Sequence, residues 1–255
     1  MIGVTKEQLI SFETTIKGLW ETGQIRCPVH LSGGNEDQLI EIFKEVKDDD
    51  YVFATHRNHY HYLLKHGDSN GLRDEIMGME TGISRGHGRS MCYADHSRHF
   101  YCSAIVAGIC AIAVGTAWAV KEVGKITQIK PFKKICPVCK GSSMVTSMAG
   151  TYTCGACENG YIFTTPHVWC FIGDGAVDNG HFWEAIQYAE GWNLPITFIL
   201  EDNNRSTCTT QQDRLGRGCL DDDTIRWKFG DSIKVRIYSY IPTYPHVGSG
   251  KYVQF

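Results

Sequence analysis

Two short apolar runs separated by one helical pattern restrict the fold of this chain more than any other feature. The runs occupy residues 168–172 and 196–200, and their hydrophobic residues follow one another without the alternation of a half-exposed strand. Strands of this kind are covered on both faces. Between them, apolar residues recur at helical spacing from Phe182 to Ala189. Because two such strands joined by a helix normally pair in parallel with a right-handed crossover, we predict an α/β fold with a parallel sheet.

Further elements can be predicted on either side of this unit. Apolar residues at helical spacing indicate helices, and short apolar runs indicate strands. The predicted elements, in chain order, are helix 5–20, helix 36–46, strand 51–55, a loop from 55 to 92 with a helical stretch at 72–77, and strand 234–240.

Residues 104–120 are almost wholly apolar and rich in small side chains. A membrane span needs about 20 such residues, so this segment is slightly short. Small side chains allow a helix to pack closely against a sheet or a second subunit. We therefore favour a buried helix over a membrane span.

Charge and cysteine content narrow the class of protein. The net charge of -3 comes from interspersed residues, so we expect small molecules and proteins as partners, with no nucleic acid and no membrane. The amino terminus does not resemble a secretion signal, because Glu7, Glu13 and Lys17 interrupt its apolar residues. In such a chain, 11 cysteines favour a reducing, cytoplasmic location over a disulfide framework.

Polar residues follow both strands of the predicted parallel pair. Gly173-Asp174-Gly175 stands at the end of the first run and Asn203-Asn204 at the end of the second. Since the carboxyl ends of parallel strands share one edge, we expect Asp174 and Asn203 to face each other across a crevice. Their oxygens suit Mg²⁺, and the glycines leave backbone N–H groups open to a phosphate. Gly-Asp-Gly is also a common turn, so a purely structural interpretation stays open.

The order of strand, Gly-Asp-Gly turn, helix, strand and Asn-Asn resembles a known motif. It is similar to the thiamine-diphosphate and magnesium motif of transketolases, decarboxylases and 2-oxo acid dehydrogenases. The resemblance implies a three-layer α/β fold that binds thiamine diphosphate and Mg²⁺. It also implies that the side chains of Asp174 and Asn203 and the carbonyl of Arg205 are the Mg²⁺ ligands.

Other segments resemble the alpha subunit of the 2-oxo acid dehydrogenase first component, which is related to the diphosphate-binding domain of transketolase. Residues 86–91 look like that family's Gly-x-Gly-Gly-Ser-Met segment. Residues 105–108 look like the turn whose backbone meets the aminopyrimidine. The remaining matches are Gly23-Gln24-Ile25, residues 30–36, Asp50, Arg57 and His59.

This resemblance implies a set of cofactor-binding residues. Arg57 is expected to reach the diphosphate with its planar guanidinium, with a structural salt bridge as the alternative. The implied set is Arg57, Ser90, Ile105, Val106, Gly108, Gly173, Asp174, Gly175, Ala176, Asn203 and Arg205.

The resemblance also points to histidines as catalytic residues. His59 lies in the family's Arg-x-His motif, and His56 stands where the family has tyrosine. Cys92 replaces the histidine of Ser-Met-His. The family's long carboxyl-terminal section is replaced by a short ending, in which His246 could substitute for a loop histidine. We therefore expect His59, His56 and His246 to take part in catalysis.

The implied reaction is chemistry at a C–C bond next to a carbonyl group. Thiamine diphosphate acts as the electron sink, and a glutamate must protonate its aminopyrimidine. In this superfamily that glutamate belongs to a pyrimidine-binding domain, for which a chain of this length has no room. We expect a separate beta-like subunit to complete the active site, in a heterotetramer.

Three functions are consistent with these features. The first is a dehydrogenase- or decarboxylase-like subunit acting on a 2-oxo acid. The second is a subunit of a ketol transferase, resembling transketolase or deoxyxylulose-phosphate synthase and acting on a ketose phosphate. The third is a non-catalytic zinc-containing scaffold, against which the retention of Asp174 and Asn203 argues.

Two Cys-x-x-Cys pairs interrupt the α/β pattern. Cys136, Cys139, Cys154 and Cys157 have the spacing of a zinc ribbon, in which four thiolates bind a structural Zn²⁺. A redox dithiol and packed thiols are the alternatives. We predict an inserted β-rich module at residues 126–164, within an α/β domain formed by residues 1–125 and 165–255. Because aromatic and basic residues do not form an array there, structural support or partner docking is favoured over nucleic-acid binding.

Overall fold

The structure is a computed structural model that describes residues 3–126, 133–147, 150–156, 161–163, 165–206, 209–216 and 234–243. The helices are α1 (Lys6–Glu21), α2 (Glu36–Phe43), α3 (His59–Leu64), α4 (Ser69–Met77), α5 (Gly108–Ile126), α6 (Gly180–Gly191) and α7 (Gln211–Leu215). The strands are β1 (Tyr51–Ala54), β2 (Ala94–Asp95), β3 (Phe100–Cys102), β4 (Lys133–Ile135), β5 (Met144–Ser147), β6 (Gly150–Thr153), β7 (Tyr161–Phe163), β8 (Val168–Gly173), β9 (Ile196–Asp202), β10 (Arg205–Ser206), β11 (Thr209–Thr210) and β12 (Val235–Ser239).

A largely parallel sheet forms the centre of the fold. Its strand order is β12-β9-β8-β1-β3-β2, and only the β2–β3 pair is antiparallel. The strands predicted from the apolar runs, β8 and β9, are neighbours with α6 as their crossover. The predicted α/β fold with a parallel sheet is therefore confirmed.

Alternating side chains of β8 separate two hydrophobic clusters. Val168, Cys170 and Ile172 point to the face covered by α5 and α6, whereas Trp169 and Phe171 point to the face covered by α1 to α4. All five side chains are buried. Helices on both faces explain why these strands lack an exposed, polar side.

The small-residue helix begins later than the sequence predicts. Helix α5 starts at Gly108 and not at residue 104, because Ala107 has a left-handed backbone with φ of 57° and cannot continue a helix. Ala113 and Ala117 are fully buried in the cluster that α5 shares with the sheet. Among the described residues, no helix combines the length and the apolar character needed to cross a bilayer.

The segment predicted as a loop from residue 55 to 92 contains an additional helix. Helix α3 is buried along His59, Tyr60, His61, Tyr62 and Leu63, so it has almost no solvent-exposed face. A helix that is buried all round shows no amphipathic period, and the predicted loop was wrong here for that reason. Helix α4 at Ser69–Met77 corresponds to the predicted helical stretch.

The cysteine-bearing segment forms small antiparallel sheets apart from the central sheet. Strand β4 pairs with β7, and β5 pairs with β6. These strands lie between α5 and β8 in the chain, where the sequence predicts an inserted β-rich module.

Candidate functional site

Loops at the carboxyl ends of four parallel strands line a partly open cleft. The chain progresses from β1 towards β3 on one side and from β8 towards β9 on the other, so the cleft lies where the strand order reverses. Open α/β sheets bind ligands at such points. The lining residues lie at or just beyond the carboxyl ends of β1 (Thr55, His56), β3 (residues 103–107), β8 (Gly173, Gly175, Ala176) and β9 (Arg205, Ser206).

Asp174 lies between the two glycines of this edge and is 2% exposed. Its Oδ2 accepts hydrogen bonds from Gln211 Nε2 at 3.2 Å and Arg214 Nη2 at 3.1 Å. Its Oδ1 has no hydrogen-bond partner among the described residues. Burial raises the pKa of Asp174 to about 6, the nearby charge of Asp202 adds to this effect, and Arg214 opposes it.

The end of β9 supplies the facing oxygens. Asp202 Oδ1 accepts from Gln211 Nε2 at 3.1 Å and from the backbone N–H of Asn204 at 2.8 Å, while its buried Oδ2 lacks a hydrogen-bond partner in the described part of the chain. Asn203 Oδ1 accepts the N–H of Arg205 at 3.0 Å. A second lone pair of this oxygen remains for another ligand.

The loops after β8 and β9 approach each other closely. A Cβ atom on Gly175 would lie 2.5 Å from Ser206 Oγ, so a side chain at that position requires the opposite loop to move. A Cβ atom on Gly173 would meet no atom within 4 Å. Contact between the loops therefore explains why residue 175 is a glycine, but it gives no reason for a glycine at position 173.

The carboxylate and amide oxygens of this edge are suitable ligands for a hard divalent cation. Two carboxylates, each almost fully buried, retain an oxygen without a hydrogen bond, and burying such charges is costly unless a partner compensates them. Carboxylate and amide oxygens are the protein ligands that Mg²⁺ prefers. Asp174, Asn203 and Asp202 could therefore hold Mg²⁺ beside a diphosphate in the cleft.

Tyr240 is a site residue that the sequence analysis missed. It directly follows β12, and its hydroxyl accepts a hydrogen bond from Asn203 Nδ2 at 3.1 Å. Burial and the charge of Glu201 raise the pKa of Tyr240, whereas the charge of Arg57 lowers it, which brings Arg57 into this cluster. The sequence could have indicated Tyr240, because it is the last residue of the predicted strand 234–240. The carboxyl end of that strand lies at the same edge of the sheet as Asp174.

Arg57 and His56 extend the site towards β1. Arg57 is 9% exposed, and its described hydrogen bond goes from Nη1 to the carbonyl of Leu31 at 2.6 Å, not to a carboxylate. His56 lines the cleft and packs edge-to-face against His30, with ring centroids 4.6 Å apart. His56 therefore lies in the cleft itself, whereas Arg57 follows it in the chain without lining the cleft.

His59 and Ser90 are not among the residues that line the cleft and belong to a buried hydrogen-bonded chain. His59 Nδ1 is 2.9 Å from Glu13 Oε1, and its Nε2 is 2.9 Å from Ser90 Oγ. All three side chains are fully buried, and Glu13 Oε1 also accepts the N–H of Ser32 at 3.1 Å. Their hydrogen bonds join α1 and α3 to the glycine-rich loop, which comprises residues 84–91.

The glycine-rich loop is held by one carboxylate that the sequence did not identify. Glu75 of α4 is fully buried and accepts four backbone N–H groups, each at 2.6–3.1 Å. The donors belong to Ser84, Gly86, Gly88 and Arg89. This carboxylate therefore determines the shape of the loop that carries Ser90.

The other predicted site residues have different surroundings. Ile105 and Val106 line the cleft mouth and are 69% and 46% exposed, and Gly108 is the first residue of α5. His246 lies outside the described residues.

The cysteine module brings thiols together. The Sγ atoms of Cys136, Cys139 and Cys154 lie within 4.8 Å of one another, and all three residues are buried. Cys157, the predicted fourth ligand, lies outside the described residues. The described thiols are close enough to bind one metal ion together.

Comparison with known proteins agrees with this architecture. The sequence model described as "Dehydrogenase E1 component" matches residues 5–218. The alpha subunit of acetoin:2,6-dichlorophenolindophenol oxidoreductase from Bacillus subtilis is 28% identical, over 79% of this chain and 49% of that protein. The pyruvate dehydrogenase E1 component subunit alpha is 28% identical in Porphyra purpurea (79% of this chain, 53% of the relative) and 29% identical in Rickettsia prowazekii (78% and 49%). The chain thus spans about half the length of the curated relatives it matches, and it belongs to the dehydrogenase E1 component family.

Proposed function

We propose that this chain is the diphosphate-binding subunit of a thiamine-diphosphate- and Mg²⁺-dependent enzyme acting on a 2-oxo acid or a closely related carbonyl compound. The observation that carries the proposal is the pair of buried carboxylate oxygens, on Asp174 and Asp202, that lack hydrogen bonds among the described residues. They lie at the strand edge where the family's magnesium motif is expected. Family membership supports the same cofactor.

In this proposal, Mg²⁺ is bound by the side chains of Asp174 and Asn203 and by the carbonyl of Arg205. Gly175 lets the two cofactor-binding loops approach each other, and Gly173 and Ala176 line the diphosphate side of the cleft. Arg57 reaches the diphosphate from the neighbouring strand end.

When bound, thiamine diphosphate supplies an electron sink for cleavage of the bond next to the carbonyl group. The chain's own residues hold and orient the cofactor and exclude water from its diphosphate. His56, which lines the cleft, is the candidate for contact with substrate or cofactor. His59 acts through Ser90 by positioning the glycine-rich loop, and a catalytic role for His246 stays a prediction.

A second subunit completes the proposed active site. The pyrimidine-binding glutamate would come from a beta-like partner in a heterotetramer. Ile105 and Val106 at the cleft mouth and Ile112 on α5 are exposed apolar residues that such a partner could cover. The relatives described above are named as dehydrogenase and oxidoreductase subunits, which favours a dehydrogenase-type reaction over ketol transfer.

The inserted module at residues 126–164 is proposed to bind a structural Zn²⁺ through Cys136, Cys139, Cys154 and Cys157. Support comes from the close approach of the three described thiols. Elemental analysis of the purified chain should find one zinc per chain, and Cys136→Ser should lose it. An absence of zinc in the wild-type chain would contradict this proposal.

Calorimetric titration of thiamine diphosphate with Mg²⁺ tests the cofactor site. Wild-type chain should bind only when the metal is present, and Asp174→Asn should weaken binding by more than the roughly 10–100-fold that is typical for residues that only orient metal ligands. Asp178→Asn is a matched control, because it makes the same change in the same loop at a residue that pairs with Arg214. No metal-dependent binding by the wild-type chain would refute the proposal, and equal losses in both variants would point to the loop instead of the ligand.

A further inference from the structure

One side chain of α7 joins the two unsatisfied carboxylates. Gln211 is 2% exposed, and its Nε2 donates to Asp174 Oδ2 at 3.2 Å and to Asp202 Oδ1 at 3.1 Å. The two hydrogens of one amide nitrogen are both used. The two acceptors follow different strands, so this single group spans the crevice between β8 and β9.

The bridge leaves a defined pair of oxygens uncommitted. In each carboxylate the oxygen bound by Gln211 is occupied, whereas Asp174 Oδ1 and Asp202 Oδ2 are buried without a hydrogen-bond partner among the described residues. The bridging donor is a neutral amide, so it holds the two negative charges near each other without cancelling either, and the positive charge described beside them is that of Arg214, whose Nη2 lies 3.1 Å from Asp174 Oδ2. A cation is the ligand that such an arrangement favours.

The position of Gln211 is itself well supported. Thr210 caps α7 by accepting the N–H of Asp213 at 3.1 Å, and the backbone N–H of Gln211 donates to Asn204 Oδ1 at 3.3 Å. Arg214, three residues further on the same helix face, donates to the same Oδ2 of Asp174 at 3.1 Å. Helix α7 therefore fixes one oxygen of Asp174 from two sides and leaves the other directed elsewhere.

We propose that Gln211 is a positioning residue for the metal site: it sets the separation of Asp174 and Asp202 and keeps their outer oxygens ready for one divalent cation. This inference rests on the proposed function and adds Asp202 to the residues that face the cation. A neutral bridge adds no positive charge to that of Arg214, whereas a positively charged donor at position 211 would hold the same two carboxylates while competing with the metal.

The test compares Gln211→Leu and Gln211→Lys with wild-type chain, using Mn²⁺ titration followed by electron paramagnetic resonance with thiamine diphosphate present. Gln211→Leu removes the bridge and should weaken Mn²⁺ binding about 10-fold or more. Gln211→Lys should weaken it further, although urea unfolding in EDTA should find this variant at least as stable as Gln211→Leu. Gln212→Leu is the neighbouring control and should bind within about twofold of wild type.

The outcomes separate this inference from the proposed function. If wild-type chain binds Mn²⁺ and Gln211→Leu binds it equally well, the positioning role is refuted while the cofactor site stands. Gln211→Lys binding as tightly as wild type would refute the requirement for a neutral bridge. If wild-type chain does not bind Mn²⁺ with thiamine diphosphate, the proposed function fails and this inference fails with it.

Discussion

At the amino edge of the central sheet, both carboxylate oxygens of Asp50 accept hydrogen bonds. At the carboxyl edge, one oxygen of Asp174 has no hydrogen bond in the described part of the chain. Asp50 accepts the backbone N–H groups of Lys47 and His167 and the indole N–H of Trp169, at 2.8–3.0 Å. Both carboxylates are 2% exposed, so burial does not distinguish them. The difference lies in the donors that surround them.

Glu75 belongs with Asp50 in this comparison. Its carboxylate accepts four backbone N–H groups of the glycine-rich loop, so it stabilises a segment of chain. Asp202 belongs with Asp174, since each retains a buried oxygen without a donor among the described residues. In these four cases the carboxylates that stabilise the fold are satisfied by protein donors, and those at the ligand-binding edge are not. Ligands of open α/β sheets bind at that edge. The buried Glu13 of the His59–Ser90 chain is an exception, because its Oε2 has no hydrogen-bond partner among the described residues.

The largest effect is expected for Glu75→Gln. The amide nitrogen would point at backbone N–H donors, leaving buried groups unsatisfied and lowering the free energy of unfolding by about 4 kcal/mol. Urea unfolding measures this loss, and hydrogen exchange should accelerate at Gly86 and Gly88. Glu80→Gln is the control, because the Glu80 side chain is 78% exposed and should change stability little. Equal stability of the two variants would show that the Glu75 carboxylate does not stabilise the fold.

Asp50→Asn should have the next largest effect. Three donors converge on this carboxylate, and an amide can accept from only one side, so we expect a loss of about 2–3 kcal/mol in the free energy of unfolding. Thermal and urea unfolding would measure it. Asp48→Asn, at an exposed position two residues away, should remain near wild type. A loss shared by both variants would show that the carboxylate bonds are not its source.

When divalent cations are removed with EDTA, Asp174→Asn should change the free energy of unfolding much less than Asp50→Asn does. The substitution relieves the repulsion between Asp174 and Asp202, while the amide oxygen can still accept from Arg214 or Gln211. We expect the free energy of unfolding to change by less than about 1 kcal/mol. Urea unfolding beside Asp50→Asn makes the comparison direct. A loss as large as that of Asp50→Asn would abolish the distinction between the two edges.

The smallest effect concerns pH at the amino edge. Burial lowers the pKa of His167 below its usual 6.5, and the charges of Lys234 and Arg236 add to this against the opposing charge of Asp50. The unfolded chain therefore binds a proton more readily, so stability is lost as the pH falls below about 6.5. His167→Gln should lose less stability than wild type between pH 7.5 and pH 5.5 in urea unfolding. Identical losses would show that His167 does not contribute.

Much of the fold could be predicted from hydrophobic periodicity. The β8–α6–β9 unit, α1 and β12 all follow patterns within a few neighbouring residues. Helix α3 could not be predicted, because it is buried on all sides and its histidines and tyrosines give no apolar stripe. The later start of α5 depends on the left-handed backbone of Ala107, which no periodic pattern encodes.

The candidate site was predictable only in part. Asp174 and Asn203 could be placed at one edge, because parallel strands end on the same side. Ser90 and His59, expected from the resemblance to be a cofactor-binding and a catalytic residue, lie in a buried chain with Glu13, and those two roles stay predictions. A motif records which residues occur together but not which of them line the cleft.

The sequence by itself determined the strand–helix–strand unit, the parallel sheet and the edge at which Asp174 and Asn203 lie, because these follow from local hydrophobic patterns and strand direction. The tertiary structure alone decided that Gln211 bridges Asp174 and Asp202 and that Tyr240 bonds to Asn203. These contacts join side chains from α7 and from the end of β12 to the loops after β8 and β9. Hydrogen bonds between segments distant in the chain leave no periodic signal, so they become visible only when the chain is folded.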